Sequence, residues 1–245
     1  MNEVIRLLQN HRSIRKFTEQ KLSEEQIEAI IKSAQMASTS SNVQAYSIIG
    51  VTDPQMKKEL AHLAGDQKYV EECPIFFVFC ADLHRIQTAC RMREQEMMYQ
   101  LMEPFIVSTV DAALAAQNAI VAAESMGLGG VYIGGIRNHP GAVSELLQLP
   151  PLVYPVFGMC IGYPAQDPLV RPRMRMEAIY HENTYDPGKY EKEIEHYDEV
   201  MKEYYIKRSN GKMQTTWSEQ MAERFSKPVR AHMRKFLEER GFRFD

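Results

Sequence analysis

Residues 105–135 read FIVSTVDAALAAQNAIVAAESMGLGGVYIGG, and the fold class turns on how this stretch changes character. Phe105, Ile106, Val107, Val110, Leu114, Ile120 and Val121 sit among alanines with hardly any charge. That is the composition of a helix buried nearly all round, in a core or at a subunit interface. Gly127-Leu128-Gly129-Gly130 ends it, and Val131-Tyr132-Ile133 follows as a short strand that stops at Gly134-Gly135. A buried helix feeding directly into a strand indicates a sheet covered by helices.

Working outward, the same alternation recurs. Pro74-Ile75-Phe76-Phe77-Val78-Phe79-Cys80 is apolar on both faces and predicts a central strand. Ser47–Val51 and Val153–Ile161 read as further strands. A capping box at Ser23–Gln26 opens a helix whose Ile27, Ile30, Ile31 and Ala34 share one face. Asp53-Pro54 opens another helix, and a helix is expected over 84–103. A short one is expected at 139–147. After Gly162-Tyr163-Pro164 no strong strand appears. Residues 188–206 form a charged helix, Thr216–Glu219 is a second capping box, and Pro228 is expected to begin a last helix that stops at Gly241. The expected organisation is a single domain over 1–245, with a sheet-containing core at 1–163 and a helical excursion at 164–245.

The 245 residues carry 29 Lys+Arg against 32 Asp+Glu, a net charge of −3, with 44% hydrophobic residues. This is the balance of an ordinary globular chain and disfavours a globally basic nucleic-acid binder. The basic tail of Lys227, Arg230, Arg234, Lys235, Arg240 and Arg243 is interleaved with Glu238 and Glu239, which argues the same way. Cys73, Cys80, Cys90 and Cys160 form no CxxC pair and read as reduced, mostly buried thiols. The opening MNEVIRLLQNHRS lacks a signal-peptide core, and no apolar run approaches the roughly 20 residues of a membrane span. A cytoplasmic enzyme is expected.

Several clusters have chemical potential. His11-Arg12-Ser13-Ile14-Arg15 places two guanidinium forks, a hydroxyl and an imidazole at a helix end, suited to a phosphate; a solvated turn paired with surface acids is the plainer alternative. Arg171-Pro172-Arg173 is a second arginine pair, or else a basic surface loop. The glycine run at 127–135 is not a dinucleotide fingerprint, since GxGxxG would need glycine at Tyr132; Gly134-Gly135 permits a flat ligand to approach the backbone, or simply tight packing. Ser38–Asn42 with Gln44, and Gly65-Asp66-Gln67, are polar turns. His62, His84, His139, His181, His196 and His232 are scattered, and neither a hydrolytic triad nor a metal-ligand motif stands out.

Taken in order, HRSIR, the Ser/Thr cluster, GDQ, GLGGVYIGG, RPR and YYIKRSNGKMQTTW resemble the nitroreductase superfamily, in its branch of oxygen-insensitive NADPH nitroreductase A and NADPH-flavin reductase P. The resemblance implies an α+β, nitroreductase-like fold with a central mixed β-sheet surrounded by helices. It implies a homodimer with FMN at the interface and a ping-pong exchange between NADPH and nitroaromatics, quinones or free flavin. An alternative is a flavin reductase that mainly supplies reduced FMN to a partner. Matched by position, the FMN contacts are His11, Arg12, Ser13, Arg15, Thr39 (where the family has serine), Gln67, Tyr132, Ile133, Gly134, Gly135, Arg171 and Arg173. Arg208, with Lys207 and Lys212, would take the 2′-phosphate of NADPH. Met213 replaces a second arginine of some relatives, so NADH is expected to be accepted too. The scheme requires no side-chain acid or base and no metal.

Overall fold

The computed structural model describes residues 1–98 and 101–244. Its strands, in chain order, are β1 (Tyr46–Val51), β2 (Ile75–Asp82), β3 (Gly129–Ile133) and β4 (Val153–Gly162). They form one sheet in the order β1-β2-β4-β3, and each neighbouring pair is antiparallel. The architecture is α+β as expected, but the sheet is antiparallel rather than mixed. β2 and β3 run the same way with β4 inserted between them, so the long helical crossover joins strands that do not pair. The parallel pairing described is a single bridge, Ser13 to Gly130.

β2 is buried at all eight positions because helices cover both faces. Phe77, Phe79 and Ala81 face a core built from α2 (Glu24–Gln35) and α6 (Met102–Ser125). Phe76, Val78 and Cys80 face a second core with α3 (Pro54–Leu63) and α7 (Pro140–Leu146). The period of two along a strand divides the run between the cores. The remaining helices of this region are α1 (Glu3–Gln9), α4 (Lys68–Glu72) and α5 (His84–Arg91). The helix expected over 84–103 ends at Arg91, in a turn where Glu94 has φ 57°; residues 99 and 100 of that expectation lie outside the described residues.

α6 is buried on one side only. Ala112, Ala115, Ala116, Ala119 and Ala123 are fully covered, while Ile106, Val110 and Leu114 are 43–48% exposed. By length and composition α6 is apolar enough to cross a membrane, which corrects the expectation that no run approaches a span. Its alanine face nonetheless packs on the sheet.

The chain divides into two units, Met1–Pro168 with His232–Asp245, and Leu169–Ala231. The helical excursion therefore closes at Ala231 instead of running to the end. α11 (Met233–Glu239) starts five residues after Pro228, beyond Arg230 at φ 54°. Its Phe236 and Leu237, with Phe242, join the first core, and the Leu152 N–H donates to the Arg240 carbonyl at 2.8 Å. The second unit holds α8 (Met176–Ile179), α9 (Tyr190–Arg208) and α10 (Trp217–Phe225). Tyr197, Met201 and Tyr205 form its core, packed by Met174, Tyr204 and Trp217.

Candidate functional site

The segment 11–18 is stitched to one end of the sheet. The Ile14 N–H donates to the Gly130 carbonyl at 2.9 Å, Ala165 N–H to Lys16 at 2.9 Å, and Thr18 N–H to Tyr163 at 2.9 Å. Such an approach requires glycine at 129, where a Cβ would lie 2.5 Å from Ile14 Cγ1; at Gly130 the close neighbour is β4, whose Cys160 carbonyl would lie 2.7 Å from a Cβ. Ile14 is buried. An extended chain alternates sides, so Ser13 and Arg15 share the opposite one.

Each polar side chain of the segment has a distinct environment. His11 Nδ1 is hydrogen-bonded to Glu124 on α6. Arg12 pairs with Asp167, an exposed carboxylate. Arg15 is half-buried and has neither a hydrogen bond nor an ion pair among the described residues. Its charge is felt by the Cys160 thiol, although burial, the larger effect, pushes that thiol well above its ordinary pKa. Cys73, Cys80 and Cys160 are buried free thiols and Cys90 is half-buried.

At its other end β3 meets the turn carrying Gln67. A Cβ on Gly135 would lie 2.3 Å from the Ala64 carbonyl and 2.5 Å from Gln67 Nε2. The Gln67 amide is held by its donation to Ala64 O at 2.7 Å and by the Tyr69 hydroxyl at 2.5 Å. Ile133 is buried. Tyr132 stands edge-on to Phe157 with centroids 5.1 Å apart, and burial, reinforced by the Glu124 charge, pushes its phenol pKa up. β3 therefore brings His11–Arg15, Tyr132–Gly135 and Gln67 to one strip of the first unit.

Thr39 stands apart. Its hydroxyl accepts from the Gln44 N–H at 3.4 Å, and among the described residues no hydrogen bond joins it to the β3 strip. It belongs to a loop in which Ser41, Asn42 and Gln44 all have positive φ, 48°, 58° and 52°. Asp111, 1% exposed on α6, accepts from Ser40 N–H at 3.1 Å and Ala45 N–H at 3.0 Å. Sequence reading passed over Asp111, Glu124 and Tyr69. The available signal was that Asp111 is the lone charge between Glu103 and Glu124.

The remaining expected residues lie in the second unit. Arg175 forms a forked pair with the buried Glu193 at 2.8–2.9 Å. Arg171 and Arg173 are exposed and, among the described residues, make no ion pair; Arg173 donates to the Arg171 carbonyl at 2.8 Å. The Tyr197 hydroxyl donates to the Pro172 carbonyl at 2.9 Å and fixes the loop. Lys207, Arg208 and Lys212 are exposed around the end of α9. The turn after them has Asn210 at φ 50° and Gly211 at φ 83°.

A model of the nitroreductase family matches residues 8–163, and one of the nitroreductase family C-terminal domain matches 171–245. A Bacillus subtilis (strain 168) protein named FMN reductase (NADPH) is 48% identical over 99% of both chains. The oxygen-insensitive NADPH nitroreductase of Salmonella typhimurium is 43% identical, again over 99% of both. The solved structure of B. megaterium NfrA1 superposes with a TM-score of 0.96 at 51% identity, covering 98% of this chain and 99% of that one.

Proposed function

This chain belongs to the nitroreductase family, and we propose that it is an FMN-dependent oxidoreductase that takes two electrons from NADPH and delivers them to nitroaromatics, quinones or free flavin. The names of its relatives, FMN reductase (NADPH) and oxygen-insensitive NADPH nitroreductase, support donor and cofactor. The observation that carries the reading is Arg15, half-buried beside β3 with no acid paired to it among the described residues. The donor set around it fits FMN: guanidinium groups and a hydroxyl for a phosphate of nearly two negative charges, and a glycine corner for a flat ring.

FMN, when bound, supplies the hydride chemistry, while the protein positions and tunes it. In this assignment Arg12, Ser13 and Arg15 hold the anionic parts. Arg12 exchanges Asp167 for the ligand. That exchange is cheap, because Asp167 is 85% exposed and exposed pairs contribute little. Gln67 presents its second amide N–H. Tyr132, Ile133, Gly134 and Gly135 line the ring through backbone. Lys207, Arg208 and Lys212 take the NADPH 2′-phosphate. Donor and oxidant use one site in turn, in a ping-pong exchange.

Family members are typically dimeric and act on small molecules. For this chain the homodimer is supported by the exposed Ile106, Val110 and Leu114 of α6 and, separately, by the exposed Val4, Ile5 and Leu8 of α1, apolar surface that a second copy would cover. Val110→Asp should halve the mass by light scattering; an unchanged mass overturns the dimer. A cytoplasmic location is supported by the free thiols.

The test of function is the visible spectrum of the purified protein. A yellow protein bleached by NADPH without oxygen is expected. A protein that neither carries nor takes up FMN overturns the proposal.

A further inference from the structure

Asp111 has no place in the scheme so far, and it is an expensive residue to keep. Its carboxylate is 1% exposed in an apolar helix, and no cation is paired with it among the described residues. Burial of a charge is tolerated where hydrogen bonds compensate it. Here the two bonds go to backbone N–H groups of Ser40 and Ala45, at 3.1 and 3.0 Å. Those two amides bracket a loop in which Ser41, Asn42 and Gln44 take left-handed conformations. Three such non-glycine residues in four positions are costly, and such strain persists only where surrounding structure enforces it. Thr39, at the head of the loop, is also tied to its tail through Gln44 N–H.

We propose that Asp111 is a positioning residue: by holding Ser40 and Ala45 it pre-forms the 39–45 loop so that Thr39 is set for FMN before the cofactor arrives. This rests on the reading of Thr39 as an FMN contact. Asparagine at 111 is nearly isosteric but turns one acceptor into a donor facing an N–H, so one end of the loop is released.

The test is a double-mutant cycle on apo-protein titrated with FMN, read by flavin fluorescence, with the apo melting temperature measured alongside. Asp111→Asn is expected to raise the FMN Kd about tenfold, with the melting temperature lowered only by what the loss of one buried hydrogen bond costs. Thr39→Ala is expected to raise it by a smaller factor. The double variant should bind no worse than Asp111→Asn, since a released loop no longer presents Thr39. If Thr39→Ala weakens FMN but Asp111→Asn does not, the Thr39 reading stands and this proposal falls. Multiplying factors also overturn it, as does a large melting loss with Kd unchanged. If Thr39→Ala has no effect, the reading and the proposal fall together. Should Asp111→Asn not fold, hydrogen exchange on wild-type apo-protein decides: Ser40 and Ala45 amides protected like those of α6 support the proposal, and exchange at unfolded-chain rates overturns it.

Discussion

His11 Nδ1 lies 2.6 Å from Oε1 of Glu124, joining the first turn of the candidate FMN segment to the end of α6, 113 residues later. The Glu124 side chain is only 12% exposed, so the bond fastens His11–Arg15 from beneath. Glu124→Ala leaves the imidazole without its partner. It should cost about 1–3 kcal/mol of stability and weaken FMN about threefold or more. Thermal melting and flavin titration check it; unchanged FMN affinity would show that the fastening is irrelevant to the site.

Arg15 is the half-buried cation of the segment that lacks any partner among the described residues. Charge-assisted hydrogen bonds contribute about 1.5–3 kcal/mol, so Arg15→Ala should lose FMN affinity by about tenfold or more. Arg15→Lys should recover part of it, keeping the charge without the fork. An Arg15→Ala protein with tight FMN and normal turnover would end the assignment.

These two residues show what sequence could and could not reveal. Capping boxes at Ser23 and Thr216 were legible because each involves residues three apart, and both form as expected. The central strand was legible because all its positions are apolar. Sheet order was not: inserting β4 between β2 and β3 is a long-range pairing that no local pattern encodes. The α6 stripe was legible as buried in a core or at a subunit interface, but not which side is left open, because composition cannot say which side of an apolar helix its own chain covers. Motif residues could be placed by resemblance, but Asp111 and Glu124, whose partners lie 66 and 113 residues away, have no local signature.

Gly135 is where β3 and the Gln67 turn touch. A methyl group there would lie 2.3 Å from the Ala64 carbonyl, and backbone cannot yield as a side-chain tip does. Gly135→Ala should therefore cost about 1–3 kcal/mol and displace Gln67. Urea unfolding and FMN binding should both be impaired; a variant of wild-type stability would mean that the turn adjusts freely.

Alkaline stability follows from buried acids, of which Cys80 and Tyr154 set the window. Burial pushes the Cys80 thiol from 9.0 to about 12, and the Tyr154 phenol from 10.0 to about 12. Both are neutral in the fold, while the unfolded chain ionises at lower pH. Stability is therefore fully present below about pH 9 and is lost as pH rises toward 12. Melting temperature should be flat near neutrality and fall above pH 9, and Tyr154→Phe should make the fall shallower between pH 10 and 12. A flat profile to pH 11.5 would contradict the burial argument.

Donor choice depends on the exposed cations at the end of α9. Lys207 and Arg208 also favour the helix C-terminus through its dipole, so a stability change alone would not identify a ligand. The comparison of two donors does, because only NADPH carries the 2′-phosphate. Arg208→Ala should raise the KM for NADPH about tenfold, in line with loss of a charge-assisted bond, and leave NADH nearly unchanged. Met213 is 42% exposed on the following turn, held by its N–H donating to the Ser209 hydroxyl at 2.8 Å. Met213→Arg should accordingly add a cation there and increase the NADPH-to-NADH ratio of kcat/KM. If Arg208→Ala depresses both donors equally, the turn is a structural element of α9 and the 2′-phosphate is bound elsewhere.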